Sequence, residues 1–302
     1  MIEVRGLTKR YGGRTVVNDL SFEGKPGVVT GFLGPNGSGK TTTARMILGL
    51  TRTAAGVATL NGRRYHDLRR PLCELGALID AGGVNPSRTA VEHLRWLAVA
   101  NDIPRSRADD VLAIVGLDAV AGRRVGGFSL GMRQRLGIAA ALIGDPPVLI
   151  LDEPINGLDP EGIRWIREFM QGLAADGRTV LVASHLMSEM ALTASALIVI
   201  GAGRLIAAES VTEFVERAVS SVRVRSPQLD DLEAALSLEE ASLWRDGDAL
   251  DVVGLSIEQI GATASRIGAT LFELSPQRAS LEDAFMQLTC DAAEFATRRQ
   301  AS

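Results

Sequence analysis

Lysine is nearly missing from this chain: Lys9, Lys25 and Lys40 are its only lysines, and every other basic residue is arginine or histidine. So skewed a usage is a bias of composition rather than a nucleic-acid signal. The net charge of -4 likewise offers no strongly basic face to a polyanion. The bias makes Lys40 conspicuous. Cysteine is as scarce, with Cys73 and Cys290 far apart and no CxxC or Cys/His clustering. That excludes a disulfide framework and a structural zinc site, and reads as reduced cytosolic thiols. No apolar run reaches the ~20 residues that cross a bilayer, since even ALTASALIVIGAG is interrupted by small, polar and glycine residues. MIEVRGLTKRYGG has no apolar h-region, so a cytosolic start without an export signal is expected.

What is present is an ordinary globular composition, 46% hydrophobic over 302 residues, enough for one large domain with a small one behind it. The stretches IEVRGL, TVVNDLSF and GVVTGFLG alternate apolar and polar positions between turn residues, as short antiparallel strands leading into a buried one do. KTTTARMILGL is helical and stops near Gly49. From about Asn85 to Ile143 the segments read as helices with no convincing strand, a helical insertion. VLILD is apolar until its last residue, as in a parallel strand covered on both faces. Asp159 and Pro160 supply N-cap and N1 of the next helix, and TVLVASH is a second buried strand. Strands alternating with helices predict an α/β fold with a mostly parallel central sheet, residues 1–219. Residues 220–302 read β-α-β-β-α-β, the ferredoxin-like order of a small α+β accessory domain. Its last helix, SLEDAFMQLT, would start on a capping box of Ser280 and Asp283.

The chemistry concentrates in a few stretches. Gly34, Pro35, Asn36, Gly37, Ser38, Gly39, Lys40 and Thr41 form a complete GxxxxGK[ST] loop between a strand and a helix. Glycines there let backbone N–H groups turn onto phosphates, Lys40 reaches the outer phosphates, and the Thr41 hydroxyl ligates Mg²⁺. Asp152 ends an apolar strand, where it can hold that metal, and Glu153 follows as a second carboxylate able to orient and deprotonate a nucleophile. No Asn-Lys-x-Asp motif is present to read a guanine base, whereas a nucleotide kinase is not excluded by these elements alone. Ser129 stands as the N-cap of a further helix whose opening turns carry Arg133 and Arg135, at a pole where cations are disfavoured by roughly 0.3 to 1 kcal/mol each. That N-terminus reads as waiting for an anion.

In order, GPNGSGKT, FSLGMRQRL, VLILDEP, NGLD and Ser184-His185 resemble the nucleotide-binding subunit of an ABC transporter over about residues 2 to 215. The resemblance implies a P-loop NTPase fold, a RecA-like core with an antiparallel β layer and a helical subdomain. It implies that Tyr11 stacks on adenine, that Gly34 to Thr42 cradle ATP, that Asp152 supports Mg²⁺ and that Glu153 is the base. Asp159 would lie in a loop crossing to a partner, and His185 would contact the γ-phosphate. Two departures stand out. Where the family has LSGGQ, this chain has Phe128-Ser129-Leu130-Gly131-Met132, keeping the serine and the second glycine. Asp80 stands where the family commonly has glutamine, and would reach the metal through water. With the added C-terminal domain, this is similar to the ATP-binding subunits of bacitracin and daunorubicin resistance. The expected partners are a second copy, paired head to tail so that Ser129 and Gly131 meet the neighbour's ATP, and a separately encoded membrane permease that holds the protein at the inner face of the membrane. No nucleic acid is expected. A soluble ABC-type ATPase acting on nucleic acid or ribosomes, and a module that binds nucleotide without hydrolysing it, are the alternatives.

Overall fold

In the computed structural model the described residues are 1–80, 82–216, 221–239, 241–277, 281, 282, 284 and 285. Two compact units divide between Val211 and Thr212.

The first unit opens with β1 (Ile2–Tyr11) and β2 (Arg14–Gly24), followed by β3 (Val29–Leu33), α1 (Lys40–Ile47), β4 (Ala55–Leu60) and β5 (Leu75–Leu78). Three helices come next, α2 (Ala90–Ala100), α3 (Arg107–Ile114) and α4 (Leu130–Leu142). The chain then runs through β6 (Val148–Asp152), α5 (Pro160–Ala175), β7 (Thr179–Ser184), α6 (Met187–Thr193), β8 (Ala196–Gly201) and β9 (Arg204–Ser210), with α7 (Val211–Glu216) following. The central sheet has the order β5-β6-β7-β3-β8-β9, parallel except for β9. Every residue of β3, β6 and β7 is buried, as in strands covered on both faces, and the polar members Thr30, Asp152, Thr179 and Ser184 are buried with the apolar ones.

A separate antiparallel sheet, β2-β1-β4, shares one core with the central sheet. Ile2, Leu7, Leu20 and Phe22 pack there with Phe32, Met46 and Ile47, the rings of Phe22 and Phe32 lying 5.3 Å apart. Each such side chain contributes about 1.5 to 3 kcal/mol of burial. The long connection from β5 to β6 is spanned by α2, α3 and α4, which pack on one another. α2 is held at its start by a reciprocal capping box between Thr89 and Glu92.

The second unit takes in α7 from Thr212 onward and then β10 (Ser221–Arg225), α8 (Leu229–Leu236), β11 (Ser242–Asp246), β12 (Ala249–Val253), α9 (Ile257–Ile267) and β13 (Glu273–Gln277). Its antiparallel sheet is ordered β11-β12-β10-β13, a β-α-β-β-α-β ferredoxin-like arrangement. Val222, Val224, Leu250 and Val252 face Leu232, Leu236 and Ile260 of the helices. Residues 281, 282, 284 and 285 are helical, whereas the expected caps Ser280 and Asp283, like Cys290, lie outside the described residues.

Candidate functional site

In an open parallel sheet the C-terminal strand ends, at the point where strand order reverses, are where ligands bind. Here β6, β7 and β3 lie side by side and all end at that edge. β3 delivers the Gly34–Thr41 loop, β6 delivers Asp152 and Glu153, and β7 delivers Ser184 and His185. The cleft that results, about 420 Å³, is lined by Val16, Asn36, Gly37, Gly39, Lys40, Thr41, Thr42, Glu153, Asn156 and His185. A second hollow of about 310 Å³, beside Met46, Arg52 and Tyr65, contains none of the motif residues.

The loop is built for close approach. A Cβ on Gly34 would lie 2.5 Å from both the Ile200 carbonyl oxygen and Ser38 Oγ, so no other residue fits there. Lys40 folds back under the loop, its Nζ donating to the Gly34 and Pro35 carbonyls at 2.5 and 3.3 Å. Burial pushes the Lys40 ammonium down from its ordinary value, against the opposing pull of Glu153 and Asp152. Asp152 is buried at the end of β6, and desolvation raises its carboxyl above the usual range even though the Thr41 hydroxyl hydrogen-bonds it. Two carboxylate oxygens, Asp152 Oδ1 and Glu153 Oε2, are buried without a hydrogen-bond partner.

Glu153 occupies an unusual backbone state, with φ at +51°. Its N–H donates to the Ala183 carbonyl of β7 at 2.8 Å, and its own carbonyl accepts from Gln134 Nε2 at 2.8 Å. His185 Nδ1 lies 2.9 Å from Glu153 Oε1.

The remaining sequence candidates stand outside this cleft. Tyr11 is half exposed at the end of β1, with Lys9 Nζ 4.6 Å from its ring centroid. Asp80 is exposed in the turn after β5, its Oδ1 accepting from the Gly82 N–H at 2.7 Å. Ser129 caps α4 by accepting from the Met132 N–H, and Gly131 sits beside Gly157 and Leu158. Asp159 caps α5 through the Gly162 N–H at 2.8 Å, as the Asp-Pro pair predicts. Val16 and Asn156 line the cleft although sequence reasoning did not select them. Asn156 belongs to the NGLD motif and so had a signal; Val16, an apolar strand residue, had none.

Comparison with known proteins decides the family. A profile described as "ABC transporter" matches residues 17–156, and one for a domain of unknown function matches residues 220–282. The chain is 34% identical over 302 residues to an uncharacterized ABC transporter ATP-binding protein, YhcH, of Bacillus subtilis (strain 168), covering 97% of each. The chain belongs to the ABC transporter ATP-binding proteins. Within that family it is 39% identical over 220 residues to the bacitracin transport ATP-binding protein BcrA of Enterococcus faecalis, covering 72% of this chain and 71% of that one. A solved dimeric structure of a bacterial ABC transporter cassette shares the fold of this ABC ATPase, with a TM-score of 0.64 and 24% identity over 70% of this chain and 99% of that one. Among the described residues no helix is long and apolar enough to cross a membrane.

Proposed function

We propose that this ABC ATPase is the motor of an exporter of drugs, antibiotics or lipophilic compounds, working as a head-to-tail homodimer around two ATP molecules at the inner face of the membrane, beneath a separately encoded permease. The observation that carries the reading is the convergence of Lys40, Glu153 and His185 on one cleft at the ends of three neighbouring strands. The relatives named for bacitracin transport support the exporter branch.

The residues suit Mg²⁺, which keeps several waters and takes only one or two protein ligands beside the phosphates. Thr41 and Asp152 would hold it, with Asp80 acting through water; Asp152 Oδ1, buried and unpartnered, is the oxygen such an ion satisfies. When bound, the metal supplies charge neutralisation at the phosphates.

The chain's own groups do the rest. The turn into α1 presents N–H groups and the helix pole to the phosphates, and Lys40 exchanges two carbonyl partners for phosphate oxygens. Glu153 takes the proton of the attacking water, and His185 steadies the carboxylate and contacts the γ-phosphate. Tyr11 stacks on adenine. Each chain holds one phosphate loop but two helix N-termini suited to phosphate, those of α1 and α4. A two-fold pair lets Ser129 and Gly131 close on the neighbour's ATP while Asp159 lies in the crossing loop.

Glu153→Gln tests the reading. ATP binding should survive while steady-state phosphate release falls by about two orders of magnitude or more. Release within a few-fold of wild type would show the base misassigned.

A further inference from the structure

Gln134 is a polar side chain buried to 5% exposure in the second turn of α4, five residues past the Ser129 cap. It reaches off its own helix to the main chain of Glu153, where Nε2 donates to the carbonyl oxygen at 2.8 Å. Glu153 is a residue with a Cβ in the left-handed region, φ +51°, a state that persists only where its surroundings impose it. Two bonds impose it here. The Ala183 carbonyl of β7 holds the N–H from one side, and Gln134 of α4 holds the carbonyl from the other. Rotating the Glu153 peptide out of this state would break one bond or both and carry the carboxylate away from His185 Nδ1, now 2.9 Å from it.

We propose that Gln134 is a positioning residue: it fixes the backbone of Glu153, and through it the aim of the carboxylate, so that the helix capped by Ser129 also sets the base of its own chain. This rests on the reading of Glu153 as the base. Hydrolysis is therefore sensitive to where α4 stands, without any contact between Gln134 and the nucleotide.

The test is a double-mutant cycle in the full-length protein, with single-turnover ATP hydrolysis and nucleotide affinity both measured. Gln134→Met keeps length and bulk but removes the donor. We expect the rate to fall at least tenfold with ATP affinity within threefold, and we expect Gln134→Met to do nothing further once Glu153→Gln is present. Gln134→Glu, which sets an acceptor against the Glu153 carbonyl, serves in its place if the Met variant does not fold. An unchanged rate in a folded Gln134 variant, when Glu153→Gln alone is crippled, overturns the inference, as do losses that multiply in the double variant. If Glu153→Gln itself keeps wild-type turnover, the assignment of the base has failed, and the inference fails with it.

Discussion

His185 Nδ1 sits 2.9 Å from Glu153 Oε1, joining the end of β7 to the residue just past β6. One carboxylate oxygen is thereby taken, and the other, Oε2, is buried without a partner. An ionised Glu153 only accepts, so His185 donates through Nδ1 and keeps Nε2 for a second partner.

Replacing His185 with Ala removes that tether and leaves the phosphate loop intact. Hydrolysis should fall by roughly 10², with ATP affinity changed no more than a few-fold, as phosphate release and equilibrium binding will show.

The raised carboxyl of Asp152 carries a pH signature. With the folded-state value above the unfolded one, the native protein binds more protons across the window between them, so stability falls as pH rises through it. Asp152→Asn removes this component. The nucleotide-free variant should melt higher than wild type at neutral pH, with the gap closing towards acid, while its Mg²⁺-dependent stabilisation by ATP is lost; calorimetry with and without MgATP measures both.

Leu130 occupies the place of the first glycine of LSGGQ, and it lies against Gly157. A Cβ on Gly157 would come within 2.1 Å of Leu130 Cδ2, at a φ of +76°. Gly157→Ala should therefore cost both stability and hydrolysis. Adding Leu130→Ala should recover the steric share but not the backbone strain, a non-additivity visible in thermal melts of the four proteins.

Arg135 Cζ stacks 4.5 Å from the Trp165 ring centroid of α5, while its Nη1 donates to the Val115 carbonyl just past α3 at 3.0 Å. Trp165→Leu should lower unfolding free energy by about 1 kcal/mol through the lost cation–π contact. Denaturant titration will detect it, and Arg135→Lys should show a comparable loss.

The sequence made the phosphate loop, the Asp152 strand end, the helical segments between β5 and β6 and the Asp159 cap legible, because each is written in local residue order. Where Arg133 and Arg135 reach was not legible in that order: Arg133 Nη1 returns to the Phe128 carbonyl at 2.6 Å and Arg135 finds Val115 and Trp165. Long side chains reach carbonyls and rings that only the tertiary fold brings near. Gln134 and Val16 went unselected for the same cause: nothing local says that one meets Glu153 and the other the cleft.

The shared site is tested most directly by complementation. Lys40→Ala cripples a chain's own phosphate loop, and Ser129→Arg cripples the helix it offers its neighbour. Once exchange between differently tagged chains is demonstrated by co-purification, a mixed dimer has both lesions in one site and an intact Lys40 facing an intact Ser129 in the other. Hydrolysis by the mixture well above that of either variant alone is the result predicted. Demonstrated mixed dimers no more active than the separate variants, with an asymmetric control showing that one intact site turns over by itself, would contradict it.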